Sequence, residues 1–168
     1  MEQVTKDIAI KKVVHVPPGE GEAIWAGGDT YVFKAETANT GGALLLTESF
    51  VPPGGGPPPH IHHRTDEAFY VFEGEIQFSE GEEAFVAKAG SFVFVPKGVA
   101  HAFKNVSTQP AKMIAMAIPA GTEGLVKAIG QPAGEGVAPP PTQEQIEKAI
   151  ALASQYDTEI VLPPSNKT

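Results

Sequence analysis

Three of the five histidines in this chain fall within four positions, His60, His62 and His63, and a carboxylate follows at Glu67. If His60 begins a strand, the two-residue repeat of side-chain direction sends His60 and His62 to one face and His63 to the other. The intervening residues can turn so that Glu67 opens the next strand on the His60/His62 face, with Phe69 and Val71 after it. Two imidazoles and a carboxylate on one inner wall make an incomplete metal site. A further imidazole, His101, arrives after the turn Pro96-Lys97-Gly98. A histidine pair alone is often polar surface, but two histidines, a carboxylate and a remote histidine together point to metal chemistry.

Holding these groups together requires many short strands. Gly 18 and Pro 16 make up about a fifth of the 168 residues, without a Gly-X-Y repeat, which suits strands joined by tight turns. The expected strands are Ile8–Val16, Tyr31–Ala35, Ala43–Val51, Glu67–Phe72, Glu75–Phe78, Ala84–Ala87, Phe92–Val95, Ala100–Val106 and Ala111–Ile118. Gly-containing turns fall between them at Gly74, Gly81, Gly90 and Gly98, a rhythm that predicts an antiparallel sandwich or barrel. Gly54-Gly55-Gly56-Pro57-Pro58-Pro59 reads as a rigid bend inside one fold. The period then changes. Thr142 to Gln145 is a capping box, and Ile146, Ala149, Ile150 and Ala153 follow a helical stripe ending near Tyr156, assigned to core packing. A short helix is expected around Leu125–Ile129.

Composition excludes several classes. The charge is −8, and the longest basic run is Lys11-Lys12, so a nucleic-acid partner is not expected. Arg64 is the sole arginine, which disfavours a bidentate clamp on phosphate or carboxylate, although Lys88, Lys97 and Lys104 can substitute. With no cysteine, thiol catalysis, disulfides and thiolate metal sites are out. No stretch approaches a membrane span and Met1 to Val14 lacks a signal-type apolar run. A cytoplasmic protein without a membrane partner is the expectation.

The motifs resemble a known family. Gly54, five residues, His60-Ile61-His62, four residues, Glu67, six residues and Gly74 match the first cupin motif at every fixed position. Gly90, five residues, Pro96, one residue, Gly98, two residues, His101, three residues and Asn105 match the second, fifteen residues further on. This resemblance implies an all-β fold, a jelly-roll cupin barrel (double-stranded β-helix) with a C-terminal amphipathic helix, and the metal ligands His60, His62, Glu67 and His101. On an octahedral ion those four ligands leave two adjacent positions for water, dioxygen or a bidentate substrate. A divalent ion with one carboxylate carries a net positive charge that favours an anionic oxygen such as an enolate.

Further segments look like quercetinase-type single-domain cupins, including Gly41-Gly42-Ala43, the Asp66–Gly74 stretch, Phe94–Gly98 and the late helix followed by Glu159–Pro164. That likeness implies a dioxygenase using one divalent transition metal (Ni, Co, Mn or Fe, with Cu or Zn in the same donor class), with dioxygen and an enolisable or aromatic, flavonol-like substrate. Glu67 would be both ligand and catalytic base. The alternatives are a non-oxidative isomerase or lyase and a binding module without turnover. Residues 1–28 are expected to form an arm with one strand, 29–120 the barrel core, and 121–168 a helical segment packed on the barrel. His63 should face away from the metal, Arg64 and Asp66 should lie in the rim, and Asn105 and Gly98 should shape a barrel corner. Phe69, Phe92, Phe94 and Phe103 are core or pocket candidates, and outward Tyr70 and Phe72 suggest a homodimer.

Overall fold

Alternation of buried and half-exposed side chains is clearest in Leu45–Val51, where Leu45, Thr47, Ser49 and Val51 are all buried. The computed structural model describes residues 12–162. In chain order the elements are β1 (Glu22–Ala26), β2 (Asp29–Ala35), α1 (Thr37–Thr40), β3 (Leu45–Val51), β4 (His60–His62), β5 (Asp66–Glu73) and β6 (Glu75–Glu80). They continue with β7 (Glu83–Lys88), β8 (Phe92–Val95), β9 (Ala102–Lys104), β10 (Ala111–Ile118), α2 (Glu123–Ile129), β11 (Gln131–Pro132) and α3 (Gln143–Leu152). A 3-10 turn, Ala153–Tyr156, and β12 (Thr158–Ile160) follow.

A seven-stranded sheet runs β11-β1-β2-β3-β10-β5-β8, a three-stranded sheet runs β7-β6-β9, and β12 pairs with β4. The pairings are antiparallel throughout. Val51, Phe69, Val71 and Met113 from the large sheet pack against Ile76, Phe78 and Phe103 from the small one, and this shared core makes the two sheets a barrel. A second cluster, Ile24, Ala26, Phe33, Leu45 and Ala117, is flanked by Val126 and Ile129 of α2. The Gly54–Pro59 stretch is the expected bend: Gly54 N donates to Asn105 O at 2.8 Å, and Asn105 N returns to Gly55 O at 3.0 Å. Gly56 has φ 125°, and a Cβ there would collide with the Phe103 carbonyl, so only glycine allows the bend to lie so close to β9.

Several expectations need correction. Residues 12–16 of the expected Ile8–Val16 strand are not strand, and the rest of it lies outside the described residues. The strand of that region is β1, which pairs with β2 through Trp25↔Thr30 and Ala23↔Val32. Ala100–Val106 contracts to β9 because His101 makes only an isolated bridge with His60. The capping box of α3 is present, with Gln145 N donating to Thr142 Oγ1 at 3.2 Å and Thr142 N to Gln145 Oε1 at 2.9 Å. Its apolar stripe is core only in part: Ala153 is buried, but Ile146 and Ile150 are each 41% exposed, because α3 lies on the outside of the fold with α2 as its helical neighbour. Among the described residues no helix is long and apolar enough to cross a membrane.

Candidate metal centre

The bend delivers His60 to β4, and the turn after β8 delivers His101 to the same place. His60 N donates to His101 O at 2.9 Å and His101 N to His60 O at 3.0 Å, so the two backbones are locked side by side. Gly98 N donates to His62 O at 2.8 Å, tying the second motif to the first. Glu67, near the start of β5, reaches into this junction: its Oε2 lies 2.8 Å from His101 Nε2 and 3.4 Å from His62 Nε2. The His60 ring is centred 4.8 Å from His62 and 4.4 Å from His101. Ligand atoms of His60, Glu67 and His101 all lie within 4.8 Å of one another, an arrangement that could hold a metal ion, while the expected ligand His62 falls outside this tight group.

Hydrogen bonds behind the rings assign their protons. His60 Nδ1 lies 2.9 Å from Pro58 O and His101 Nδ1 lies 3.1 Å from Val99 O. A carbonyl only accepts, so both Nδ1 atoms carry hydrogen. His62 Nδ1 lies 3.0 Å from Thr158 Oγ1, whose single proton is donated to Tyr156 O at 3.0 Å. Thr158 therefore accepts from His62, and all three rings turn Nε2 inward. Fixing the tautomer from behind in this way is how proteins prepare imidazole ligands. The donor set thus fits a divalent transition metal and does not select among its members.

Electrostatics agree with ligation. Burial is the main influence on His60 and pushes it down to about 4, so it is neutral. Burial also lowers His62. Burial would raise the Glu67 carboxyl, but the His101 hydrogen bond and the three imidazoles outweigh it and hold Glu67 below its ordinary range. For His101 the order is burial, which lowers it, then the hydrogen bond and charge of Glu67, which prevail and raise it. The hydrogen bond and charge of Glu67 thus favour the protonated form of His101 at the place a cation would take.

The surrounding residues sort clearly. His63 faces out and meets Glu159 Oε2 at 3.1 Å. Arg64 lies 3.9 Å from Asp157, and Asp66 Oδ1 accepts from Lys97 N at 2.9 Å, both in the rim. Asn105 is buried and donates through Nδ2 to Val51 O at 2.9 Å and Gln109 O at 2.7 Å, a corner stitch. Phe69 and Phe103 are core, whereas Phe92 and Phe94 are exposed on the outer surface: the register Val93↔Phe69 and Val95↔Glu67 turns the valines inward. Thr158 was not foreseen from the motifs, since nothing local marks a threonine 96 residues from His62 as its partner. Asp29 and Tyr31 were also missed; Asp29 is fully buried and accepts from the Tyr31 hydroxyl at 3.3 Å.

Comparison with known proteins supports this picture. Residues 48–117 match the cupin domain family model, which spans both motifs. An uncharacterised protein of Methanocaldococcus jannaschii is 28% identical over 74 residues, covering 44% of this chain and 59% of that protein. The fold is similar to the polyketide cyclase RemF of Streptomyces resistomycificus, with TM-score 0.56 and 24% identity over 64% of this chain and 80% of that one. It is also similar to a predicted oxalate decarboxylase of Thermotoga maritima, with TM-score 0.57 and 21% identity over 63% of this chain and 99% of that one. At these identities the structural neighbours speak for the fold. Barrel, motif spacing and the family match over residues 48–117 agree on a cupin-type fold for this part of the chain.

Proposed function

We propose that the chain is a metal-dependent enzyme, a quercetinase-like dioxygenase acting on an enolisable or aromatic small molecule. His60, His62, Glu67 and His101 would hold one divalent transition metal ion, of the Ni, Co, Mn or Fe type. The observation that carries the reading is the gathering of three imidazoles around one carboxylate, with the Nε2 atoms of His62 and His101 at 3.4 and 2.8 Å from Glu67 Oε2, a His60 ligand atom within 4.8 Å of those of Glu67 and His101, and each ring held by a hydrogen bond at Nδ1. The bound ion would supply Lewis acidity and open positions for an anionic oxygen and dioxygen. Glu67 Oε2 would accept the proton of the substrate hydroxyl, which leaves as the substrate becomes an enolate. Burial favours the neutral forms of His60 and His62, and Phe69, two residues beyond Glu67 on the same face, is buried in the core.

One observation favours a second reading. Glu67 is held below the ordinary carboxylate range, which makes it a better ligand than base. In that reading Glu67 only ligates, and the site runs a non-oxidative isomerase or lyase reaction or binds without turnover. Oxygen uptake with quercetin, measured on protein loaded separately with Mn, Fe, Co and Ni, separates the two. Metal-dependent uptake with loss of the flavonol chromophore, absent in His62→Ala, supports the dioxygenase; metal-loaded protein without uptake overturns it.

A further inference from the structure

His60 is carried by a proline strut. Backbone hydrogen bonds fix the preceding bend as far as Gly55: Gly54 N donates to Asn105 O at 2.8 Å, Gly55 N to Pro52 O at 2.8 Å, and Gly55 O accepts from Asn105 N at 3.0 Å. They resume at Pro59, whose carbonyl accepts from Val161 N at 2.8 Å, and at His60, whose N donates to His101 O. Between these anchors run Gly56, Pro57 and Pro58. A proline ring fixes its own φ, and a residue followed by proline is confined to extended backbone. Pro57 and Pro58 meet both conditions, so they transmit a displacement of Gly56 rather than absorb it. The Pro58 carbonyl also accepts from His60 Nδ1 at 2.9 Å, so the strut bears on the orientation of the ring as well as on its place.

Asp29 meets the start of this strut. It stands at the first position of β2, fully buried, and belongs to neither histidine motif. Its Oδ2 accepts from the Tyr31 hydroxyl at 3.3 Å, which ties the carboxyl to the sheet. Its Oδ1 is packed so closely on Gly55 that a Cβ there would collide with it. The Gly56 amide lies against the same carboxyl and favours its charged form. We propose that Asp29 is a positioning residue for His60: wedged between β2 and the bend, it sets where the proline strut begins and so where His60 meets Glu67 and His101. For its consequence in metal affinity this inference rests on the metal reading above, and it adds to that centre a residue outside both motifs.

Two variants of the full chain test this. Asp29→Ala removes the wedge, whereas Asp29→Asn keeps its volume and an acceptor oxygen. Amide hydrogen exchange without metal should accelerate at Gly54, Gly55 and His60 of Asp29→Ala by about tenfold or more beyond any change at the core amides of Val71 and Met113. An equal rise at bend and core amides reports a loss of global stability only and overturns the proposal, as does an unchanged His60 amide. Calorimetric titration with Co(II) at pH 7 should give a Kd about 10-fold or more weaker for Asp29→Ala, and within about threefold of the parent for Asp29→Asn. Equal losses in the two variants, or parent affinity in Asp29→Ala, overturn the proposal. Failure of the parent to bind Co(II) removes the metal reading instead, and the exchange pattern then decides the positioning role by itself.

Discussion

Asp29 offers a measurable account of what a buried carboxyl costs this fold. Burial pushes its carboxyl from 3.8 up to about 7, and bonds from Tyr31 and the Gly56 amide only partly offset this. Its Oδ1, packed against Gly55, has no hydrogen-bond partner. Below pH 3.8 the folded and unfolded chains both hold the proton. As the pH rises the unfolded chain loses it first, so stability falls until the folded carboxyl also ionises near 7, a loss of about 4 kcal/mol. Asp29→Asn removes this dependence and keeps an acceptor for Tyr31, but it sets an amide against Gly55 with no acceptor, at about 2 kcal/mol. The variant should therefore be less stable than the parent at pH 4 and more stable by about 2 kcal/mol at pH 8, with a crossing between about pH 5 and 6. Thermal unfolding followed by circular dichroism at several pH values reads this as a gain of about 4–8 °C at pH 8. Other groups titrate alike in both proteins and cancel. A gap that is the same at pH 4 and pH 8 refutes the argument, because it would mean that Asp29 is ionised in the fold.

Three further outcomes are expected. Thr158→Val should weaken metal binding about 10–100-fold by freeing the His62 ring, and Thr158→Ser should restore it; calorimetric titration with Co(II) checks both, and an unaffected Val variant refutes the role. Glu67→Gln should lower turnover by about 100-fold or more, well beyond any loss of metal content, and unchanged turnover removes Glu67 as base. Phe92, Phe94, Tyr70 and Phe72 lie on adjacent strands at 63, 53, 45 and 44% exposure, with Phe92 directly opposite Tyr70. They offer about 400 Å² of aromatic surface, half of what a standard interface takes from each partner. We propose that a second copy covers it; light scattering should show a dimer at micromolar concentration that Phe92→Ser with Phe94→Ser dissociates, and a monomeric parent refutes this.

The histidines and Glu67 were legible because strand alternation and motif spacing are local properties, and the fold carries both through unchanged. Strand identity from Tyr31 to Ile118 was legible for the same reason, whereas β11 and β12 were not. Strand faces were not: Phe92-Val93-Phe94-Val95 is apolar on both sides, and only the pairing of Val93 with Phe69 decides which pair enters the core. Asp29 follows Gly27-Gly28 and reads as a turn residue; the Gly54–Gly56 bend, folding back from elsewhere in the chain, is what buries it. The α3 stripe has correct helical spacing, but periodicity cannot report how much of a stripe its neighbours cover. Thr158 depends wholly on tertiary pairing.

The pairing of β12 with β4 also has a consequence in time. Thr158 aligns with His62 and Ile160 with His60, across 96 or more residues of chain. Such a long loop must close before the pair forms. While the chain is being synthesised, both histidine motifs emerge well before the segment that orients the His62 ring. A metal bound at this centre would therefore reach full affinity only once that distant strand has docked, and tight retention would then be a late checkpoint of assembly, passed by chains that have folded through Ile160 and failed by shorter ones.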